Sequence, residues 1–345
     1  PQTAHPAFEK AAQYFCVESV RVPVHSDFRG HVAAASAAVT ADTILMVGSA
    51  PSYPHGVLDP IQELAQVAQS NGLLFHVDAC IGGMMLPFVR KLGYPLPDFD
   101  FRVPGVTSMS VDLHKYGYAA KGASVILYRH KDLRRHQFSV HTDWPGGIYA
   151  SPTMTGTRPG GAIAAAWAIM NHLGEEGYLD IAQTVMATTT RLREGIQGIP
   201  GVKVLGDPCM TILAIGSDGP DIYEIGDELA LRGWFLDRQQ LPPSLHLTVT
   251  PAHAEVAGAF LDDLQQAVAA ARSLSPGRLA RSAQLGLARA AIDHLPAGVV
   301  SRLAKRVAAL SGIDSGQQNQ RRAAIYGMMA ALPDRGDVRE LVVDL

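Results

Sequence analysis

The pattern of apolar and polar residues alternates between short apolar runs and segments with helical spacing. Between residues 59 and 72 apolar side chains recur every three to four positions, with Asp59 as a candidate N-cap, Pro60 in the first turn and Gly72 beyond the end. Continuous apolar runs are typical of strands buried on both faces of a sheet. Such runs predict strands at residues 43–50, 73–79, 105–112 and 123–129. This order indicates an α/β layer with a mainly parallel sheet.

The same pattern extends to both sides of this layer. Phe8, Ala11, Ala12 and Phe15 predict a helix over residues 7–15, and "VESVRVPV" (17–24) reads as a strand before a polar turn. After a Gly-rich loop (143–161), residues 162–196 predict either one long helix or two helices joined near Gly174 to Gly177. This pattern predicts that the segment connects two domains.

From residue 201 onward the pattern is typical of a small α+β domain. Strands are predicted from Val202, in "TILAIGS", in "WFLDRQ" and in "SLHLTVT", with helices in "DIYEIGDELALRG" and after "AHAEV". Residues 275–322 predict a tail of helices, basic on one face and apolar on the other, which favours a surface helical pair over an interfacial membrane contact. We therefore expect a large domain over residues 1–200 and a small domain over residues 201–345.

The amino-acid composition argues against several classes of function. The chain of 345 residues is 47% hydrophobic and has a formal net charge of −3, which argues against nucleic acid as a partner. Cys16, Cys80 and Cys209 form no CxxC pair, so we expect neither a disulfide scaffold nor a zinc site, and the cytoplasm is the expected compartment. The sequence contains no run of about 18 consecutive apolar residues, so it predicts no membrane span.

Two charged residues follow buried strands. Asp78 ends the strand 73–79, and Lys115 comes directly after the strand 105–112. Ligands of parallel α/β sheets bind at the carboxyl ends of the strands, so both side chains are expected at one crevice. A lysine there becomes a nucleophile when burial or positive charge, such as that of Lys121 or protonated His114, favours its neutral amine. A carboxylate such as Asp78 suits the protonated ring nitrogen of pyridoxal phosphate.

Other side chains are weaker candidates. His5 precedes the first helix, where its ring either stacks on a flat cofactor or has a structural role. Tyr53 and His55 follow the strand 43–50, so either is a candidate general acid or base. The loops "WPGGIYASP" and "TGTRPGG" contain glycines and Arg158, which suit a phosphate group. For each of these residues the alternative is a structural role without a part in binding or catalysis.

Several motifs taken together resemble a known family. The chain is similar to the group II pyridoxal-phosphate-dependent decarboxylases of fold type I, and within them to the sphingosine-1-phosphate lyases, through "TAHPAFEKAA", "APSYPHG", "LLFHVDACIGG", "DFRVPGVTSMSVDLHKYGYAAKG" and "GGIYASPTMTGTRPGG". The resemblance covers nearly the whole chain apart from about residues 275–320. It implies a large domain of the fold type I transferase kind, lacking its N-terminal part, and a small C-terminal domain.

The resemblance also implies roles for individual residues. Lys115 would form the Schiff base with pyridoxal phosphate, Asp78 would face the pyridine nitrogen and His5 would stack on the ring. The implied phosphate contacts involve four further residues: His114 and Thr157 for the cofactor, and Lys121 and Arg158 for the substrate. The loop containing Thr157 would approach the active site of the second subunit of a homodimer.

The reaction implied by the resemblance is retro-aldol cleavage of a phosphorylated sphingoid base to a long-chain aldehyde and phosphoethanolamine, with Tyr53 or His55 as the base. Amino-acid decarboxylation and a catalytically silent lipid-binding or scaffold role are the alternatives. The Gly/Ser/Thr-rich phosphate-binding segment, which in the family lies upstream of the His5 motif, does not occur in these 345 residues. Two alternatives follow: a preceding segment supplies it, or the chain binds the cofactor without it and with lower affinity.

Overall fold

A computed structural model of the protein describes residues 1–273 together with residues 322, 323, 326 and 327. These residues divide into two compact units. The first unit comprises Pro1–Thr189, Gly206–Ile212 and Val249–Pro251. The second unit comprises Thr190–Leu205, Leu213–Thr248 and the described part of Ala252–Leu345.

The first unit is built on a four-stranded sheet. Its strands are β1 (Leu45–Ser49), β2 (Leu74–Asp78), β3 (Ser108–Asp112) and β4 (Ser124–Tyr128), in that spatial order. The first three strands are parallel, and β4 is antiparallel to β3. The predicted α/β class with a mainly parallel sheet is confirmed, and the carboxyl ends of three neighbouring strands lie at one edge.

Helices surround this sheet in the first unit, and a separate hairpin follows it. The helices are α1 (Ala7–Phe15), α2 (Val32–Ala37), α3 (Ile61–Ser70), α4 (Leu86–Lys91) and α5 (Lys131–Arg134). The hairpin consists of the antiparallel strands β5 (Ser139–His141) and β6 (Tyr149–Ser151).

One face of the sheet belongs to the main hydrophobic core. Phe75, Val77 and Met109 alternate with polar residues along β2 and β3 and are at most 3% exposed. Each apolar side chain fully buried in this way stabilises the fold by about 1.5–3 kcal/mol. Gly48 of β1 allows α3 to approach this face, because a Cβ at Gly48 would lie 2.7 Å from Cδ1 of Ile61.

The predicted N-cap role of Asp59 is wrong. The residue before α3 is Pro60, which provides no side-chain cap. The buried Asp59 carboxylate instead accepts hydrogen bonds from the backbone N–H groups of Gly30 and Ser49, both at 2.8 Å. A buried carboxylate needs such donors, and these two connect the loop before α2 to the end of β1.

The opposite face of the sheet is polar and partly exposed. It carries side chains at every second position of β2 and β3, namely His76, Asp78, Ser108, Ser110 and Asp112. The expectation of burial on both faces is also wrong for β4, whose central residues Val125, Ile126 and Leu127 are exposed. Among the described residues β4 is the last strand in the order, with β3 as its neighbour on one side.

The segment 17–24 is not the predicted strand. Its backbone is extended, but within the described residues it forms only an isolated bridge between Val24 and Gly30. The carbonyls of Val22 and Pro23 accept hydrogen bonds from Gln2 and His31. Pro23 has no N–H to donate, which makes this segment a poor ladder strand.

Of the two possibilities predicted for the connector, one long helix or two helices joined near Gly174 to Gly177, the structure shows the second. The helix α6 (Gly160–Gln197) is interrupted at Gly174, whose φ of 59° and ψ of −170° are non-helical. Such a conformation is essentially restricted to glycine. In the part of the chain that the structure describes, no helix is both long enough and apolar enough to cross a membrane.

The described part of the second unit contains a four-stranded sheet, two complete helices and the last residues of α6. The strands are β7 (Val202–Val204), β8 (Ile212–Ser217), β9 (Asp237–Gln240) and β10 (Pro243–Thr248), in the spatial order β7-β8-β10-β9. The helices are α7 (Ile222–Ala230) and α8 (Ala257–Arg272). These elements match the predicted α+β pattern. The helical tail predicted for residues 275–322 lies outside the described residues, apart from Arg322.

Candidate active site

Asp78 is the last residue of β2, and its carboxylate lies at the carboxyl edge of the parallel strands. Its Oδ1 accepts a hydrogen bond from the backbone N–H of Cys80 at 3.1 Å and another from Oγ of Ser110 on β3 at 3.3 Å. In the strand register, Asp78 lies opposite Ser49 of β1 on one side and opposite Ser110 of β3 on the other. The sheet therefore fixes this carboxylate between two strands.

Lys115 follows the neighbouring strand β3 in a tight turn. Its backbone N–H donates to the carbonyl of Asp112, and its Nζ lies 2.9 Å from Oδ2 of the same residue. The lysine side chain is 33% exposed, so the amine is accessible. Gly117 is required in this turn, because a Cβ there would lie 2.4 Å from the Leu113 carbonyl oxygen.

Asp112 forms the centre of a charged cluster at the end of β3. Burial raises the pKa of its carboxyl, but hydrogen bonds from Ser124 and Lys115 outweigh burial and hold the pKa below its usual value. Asp112 is therefore ionised at neutral pH. The His114 ring is also near, with Nε2 3.8 Å from Asp112 Oδ2.

His114 has a defined hydrogen-bond arrangement. Its Nδ1 lies 2.8 Å from the carbonyl oxygen of Ala123. A carbonyl oxygen only accepts, so Nδ1 carries the hydrogen of this bond. Lys121 lies further along the loop between β3 and β4 and is exposed.

His5 lies two residues before the start of α1. Its Nδ1 accepts a hydrogen bond from the backbone N–H of Ala7 at 3.2 Å, and its ring is exposed. In the first turn of α1, Phe8 contacts His76 edge-on, with ring centroids 5.8 Å apart. Phe8 thus brings the start of α1 to the face that carries Asp78.

Tyr53 and His55 differ in accessibility, although both follow β1. Tyr53 is 40% exposed, whereas His55 is 1% exposed and stacks on Phe28 with ring centroids 3.9 Å apart. From the sequence, we expect both rings to face an open crevice. For His55 the structure differs, because the loop containing Phe28 covers its ring.

Thr157 and Arg158 lie in the exposed segment between β6 and α6. Within the described residues of this one chain, neither side chain has a hydrogen bond or ion pair with Asp78 or Lys115. The structure places Asp78 at the end of β2, and His114 and Lys115 directly after its neighbour β3.

Sequence analysis missed three residues of this region, namely His76, Ser110 and Asp112. The signal that could have found them is the two-residue alternation in "HVD" and "SMSVD", which puts polar side chains on one face. Reading these segments as continuous apolar runs concealed that alternation.

Comparison with known proteins identifies the family. A family model described as "Pyridoxal-dependent decarboxylase conserved domain" matches residues 1–214. The chain belongs to the pyridoxal-dependent decarboxylase family. Pyridoxal phosphate is accordingly its implied cofactor.

Individual members of the family give more detail. The chain is 45% identical to a sphingosine-1-phosphate lyase of Arabidopsis thaliana over 343 residues, which are 99% of this chain and 56% of that protein. A solved sphingosine-1-phosphate lyase from Burkholderia pseudomallei is 43% identical, with a TM-score of 0.77 over 83% of this chain and 65% of that one. The chain thus spans little more than half of the Arabidopsis protein.

A more distant structure supports the fold alone. A glutamate decarboxylase from Lactobacillus brevis is 20% identical, with a TM-score of 0.70 over 79% of this chain and 66% of that one. The polar edge of this decarboxylase-family sheet therefore lies in an architecture shared by proteins of low sequence identity.

The residues at this edge fit pyridoxal phosphate. The hydrogen bonds that the Cys80 backbone N–H and the Ser110 hydroxyl donate to Asp78 both end on Oδ1, so neither of them occupies Oδ2, which would accept from a ring N–H. The amine of Lys115, which can attach a carbonyl cofactor, follows the adjacent parallel strand. An acceptor for the ring and an amine for the carbonyl group thus occur at one edge of the sheet.

Proposed function

We propose that this chain is the core of a pyridoxal-phosphate-dependent lyase that cleaves a phosphorylated sphingoid base into a long-chain aldehyde and phosphoethanolamine. The observation that carries the proposal is the occurrence of Asp78 and Lys115 after adjacent parallel strands. The substrate class rests on similarity to two sphingosine-1-phosphate lyases at 43–45% identity. In this proposal residues 1–200 form the large domain, which binds the cofactor, and residues 201–345 form the small domain.

Five residues would hold the cofactor. Lys115 would attach it through Nζ, Asp78 would accept a hydrogen bond from its ring nitrogen, and His5 would stack on its ring. His114 and Thr157 would bind its phosphate, His114 through Nε2, because Nδ1 is bonded to the Ala123 carbonyl. When bound, pyridoxal phosphate supplies an electron sink for the bond broken beside the amine-bearing carbon of the substrate.

The remaining residues would act on the substrate itself. Lys121 and Arg158 are exposed cations and suit the substrate phosphate, Arg158 through bidentate hydrogen bonds. Tyr53 is the better candidate than His55 to take the proton from the 3-hydroxyl, because a base must reach its substrate and His55 is 1% exposed. Binding the phosphate at a distance from the reacting carbons would fix the orientation of the bond to be broken.

The partner in this proposal is a second copy of the chain. The segment 138–170 carries large apolar side chains that are more than half exposed: Val140, Trp144, Ile148, Met154, Ile163 and Trp167. Exposed apolar surface of this extent is typical of an interface. In a homodimer the loop with Thr157 and Arg158 would reach the partner's Asp78 and Lys115. The three free cysteines favour a reducing compartment, and we propose the cytoplasm.

Reconstitution with pyridoxal phosphate tests the cofactor assignment. We expect an absorbance band at about 400–430 nm, as for other lysine-bound forms of this cofactor. Borohydride reduction and peptide mass spectrometry should then locate the label on Lys115. The band should be absent in Lys115→Ala and present in Lys121→Ala. A wild-type protein that forms no band would contradict the proposal and favour a catalytically silent homologue.

Product analysis tests the reaction. With a phosphorylated sphingoid base we expect a long-chain aldehyde and phosphoethanolamine in equal amounts, and a strong loss of both in Lys121→Ala. Release of carbon dioxide from an amino acid, without cleavage of the sphingoid base, would instead identify a decarboxylase.

A further inference from the structure

Four polar side chains on β2 and β3 form a continuous chain of hydrogen bonds that ends at Asp78. His76 lies two residues before Asp78 on the same face of β2. Its Nδ1 is 2.9 Å from Oγ of Ser108, and its Nε2 is 3.1 Å from Oγ of Ser110. Ser110 in turn donates to Oδ1 of Asp78 at 3.3 Å.

The number of available hydrogens fixes the direction of these bonds. A carboxylate only accepts, so the single hydrogen of the Ser110 hydroxyl points to Asp78. The Ser110 oxygen then has lone pairs to accept from Nε2–H of His76, and Sγ of Cys80 lies 3.3 Å from the same oxygen.

The protonation states of the neighbours agree with this direction. Burial lowers the pKa of His76, although the charge of Asp78 opposes the effect, so the ring is neutral. Burial also raises the pKa of Cys80 to about 12, so the thiol keeps its hydrogen. A neutral imidazole with hydrogen on Nε2 has a free lone pair on Nδ1, which accepts from Ser108.

We propose that Ser108, His76 and Ser110 form a one-way relay that positions the Asp78 carboxylate for the cofactor. The relay directs its hydrogen bond to Oδ1 and leaves Oδ2 for the ring N–H of pyridoxal phosphate. His76 and Ser110 are positioning residues, because they act through Asp78. The inference rests on the proposed function for its ligand, whereas the relay itself belongs to the chain without cofactor.

Nuclear magnetic resonance on the cofactor-free protein tests the direction of the relay. With ¹⁵N-labelled histidine, long-range ¹H–¹⁵N correlation distinguishes the two neutral tautomers. The His76 signal, assigned by its loss in His76→Gln, should show hydrogen on Nε2 at pH 7.5. Hydrogen on Nδ1, or on both nitrogens, would overturn the relay whether or not the protein binds a cofactor.

Affinity for pyridoxal phosphate, measured by absorbance titration, tests the consequence. A hydrogen bond to a charged group is lost in Ser110→Ala, and we expect the dissociation constant to rise about tenfold. Ser110→Thr keeps the hydroxyl and should restore affinity to within about twofold.

The matched control is Thr107→Val, since Thr107 hydrogen-bonds across the same two strands to the Phe75 carbonyl at 2.9 Å but outside the relay. Its affinity should equal that of the wild type. Equal losses in Ser110→Ala and Thr107→Val would indicate a merely structural effect and overturn the proposal. Absence of binding by the wild type would instead contradict the proposed function, and the tautomer would still decide the relay.

Discussion

The ammonium group of Lys115 lies 2.9 Å from the carboxylate of Asp112, the residue that ends β3 three positions earlier. A carboxylate at this distance holds the amine in an ion pair. The ion pair must open before the amine can attack a carbonyl group, so Asp112 opposes the reactivity of Lys115 in the cofactor-free protein.

We expect Asp112→Asn to increase the reactivity of Lys115. A partly exposed ion pair is worth about 0.5–1 kcal/mol, so acetylation of Lys115 at pH 7.5 should become about two- to fivefold faster. Mass spectrometry of cofactor-free protein, with Lys121 as internal reference, measures this rate. Ser124→Ala keeps the charge of Asp112 and serves as control. An unchanged rate in Asp112→Asn would show that the ion pair does not govern this amine.

We expect the protein to become less stable as the pH is lowered, partly because of His76. Burial lowers the pKa of the folded-state ring below 6.5, whereas the unfolded state binds the proton near that value. The contribution of His76 is therefore complete above pH 6.5. It is lost as the pH falls from 6.5 through the folded-state pKa, by up to about 1.4 kcal/mol per pH unit.

Urea denaturation at several pH values between 5 and 8 measures this dependence. The free energy of unfolding of His76→Gln should fall less steeply below pH 6.5 than that of the wild type. His172→Gln, at an exposed position of α6, should retain the wild-type slope. Identical slopes for wild type and His76→Gln would refute the assignment.

In the second unit we expect Asp227→Ala to be strongly destabilising. Its carboxylate is 3% exposed and lies 2.6 Å from Arg238, while it also accepts hydrogen bonds from the backbone N–H groups of Arg322 and Ala323. Removing one partner of a buried pair leaves the other charge uncompensated, so the loss should be about 3–5 kcal/mol.

Chemical denaturation monitored by circular dichroism measures the effect. Lys203→Ala breaks the exposed pair of Lys203 with Asp218 and should change the free energy of unfolding by less than about 1 kcal/mol. The double variant Asp227→Leu, Arg238→Met should recover part of the loss, because neither charge then remains buried. Similar losses in Asp227→Ala and Lys203→Ala would contradict the importance of this buried pair.

Much of the fold could be predicted from sequence because the relevant interactions are local. Apolar periodicity predicted the helix at residues 7–15 and the strands of the two four-stranded sheets to within a few residues, and the glycines of α6 indicated where a break could occur. The segment 17–24 was mispredicted because an apolar pattern alone does not supply a partner strand. Strand pairing depends on distant residues.

The candidate site divides in the same way. The sequence by itself determined that Asp78 and Lys115 follow strands, since chain order fixes which residue comes after a strand. Only the tertiary structure decided that Asp112 pairs with Lys115, that Phe28 covers His55 and that Ser110 connects His76 to Asp78. The Phe28–His55 contact and the two Ser110 contacts depend on loop packing and strand register, because they join residues 27 to 34 positions apart that meet only when the chain has folded. The Asp112–Lys115 pair joins residues three positions apart and depends on the conformation of the turn after β3.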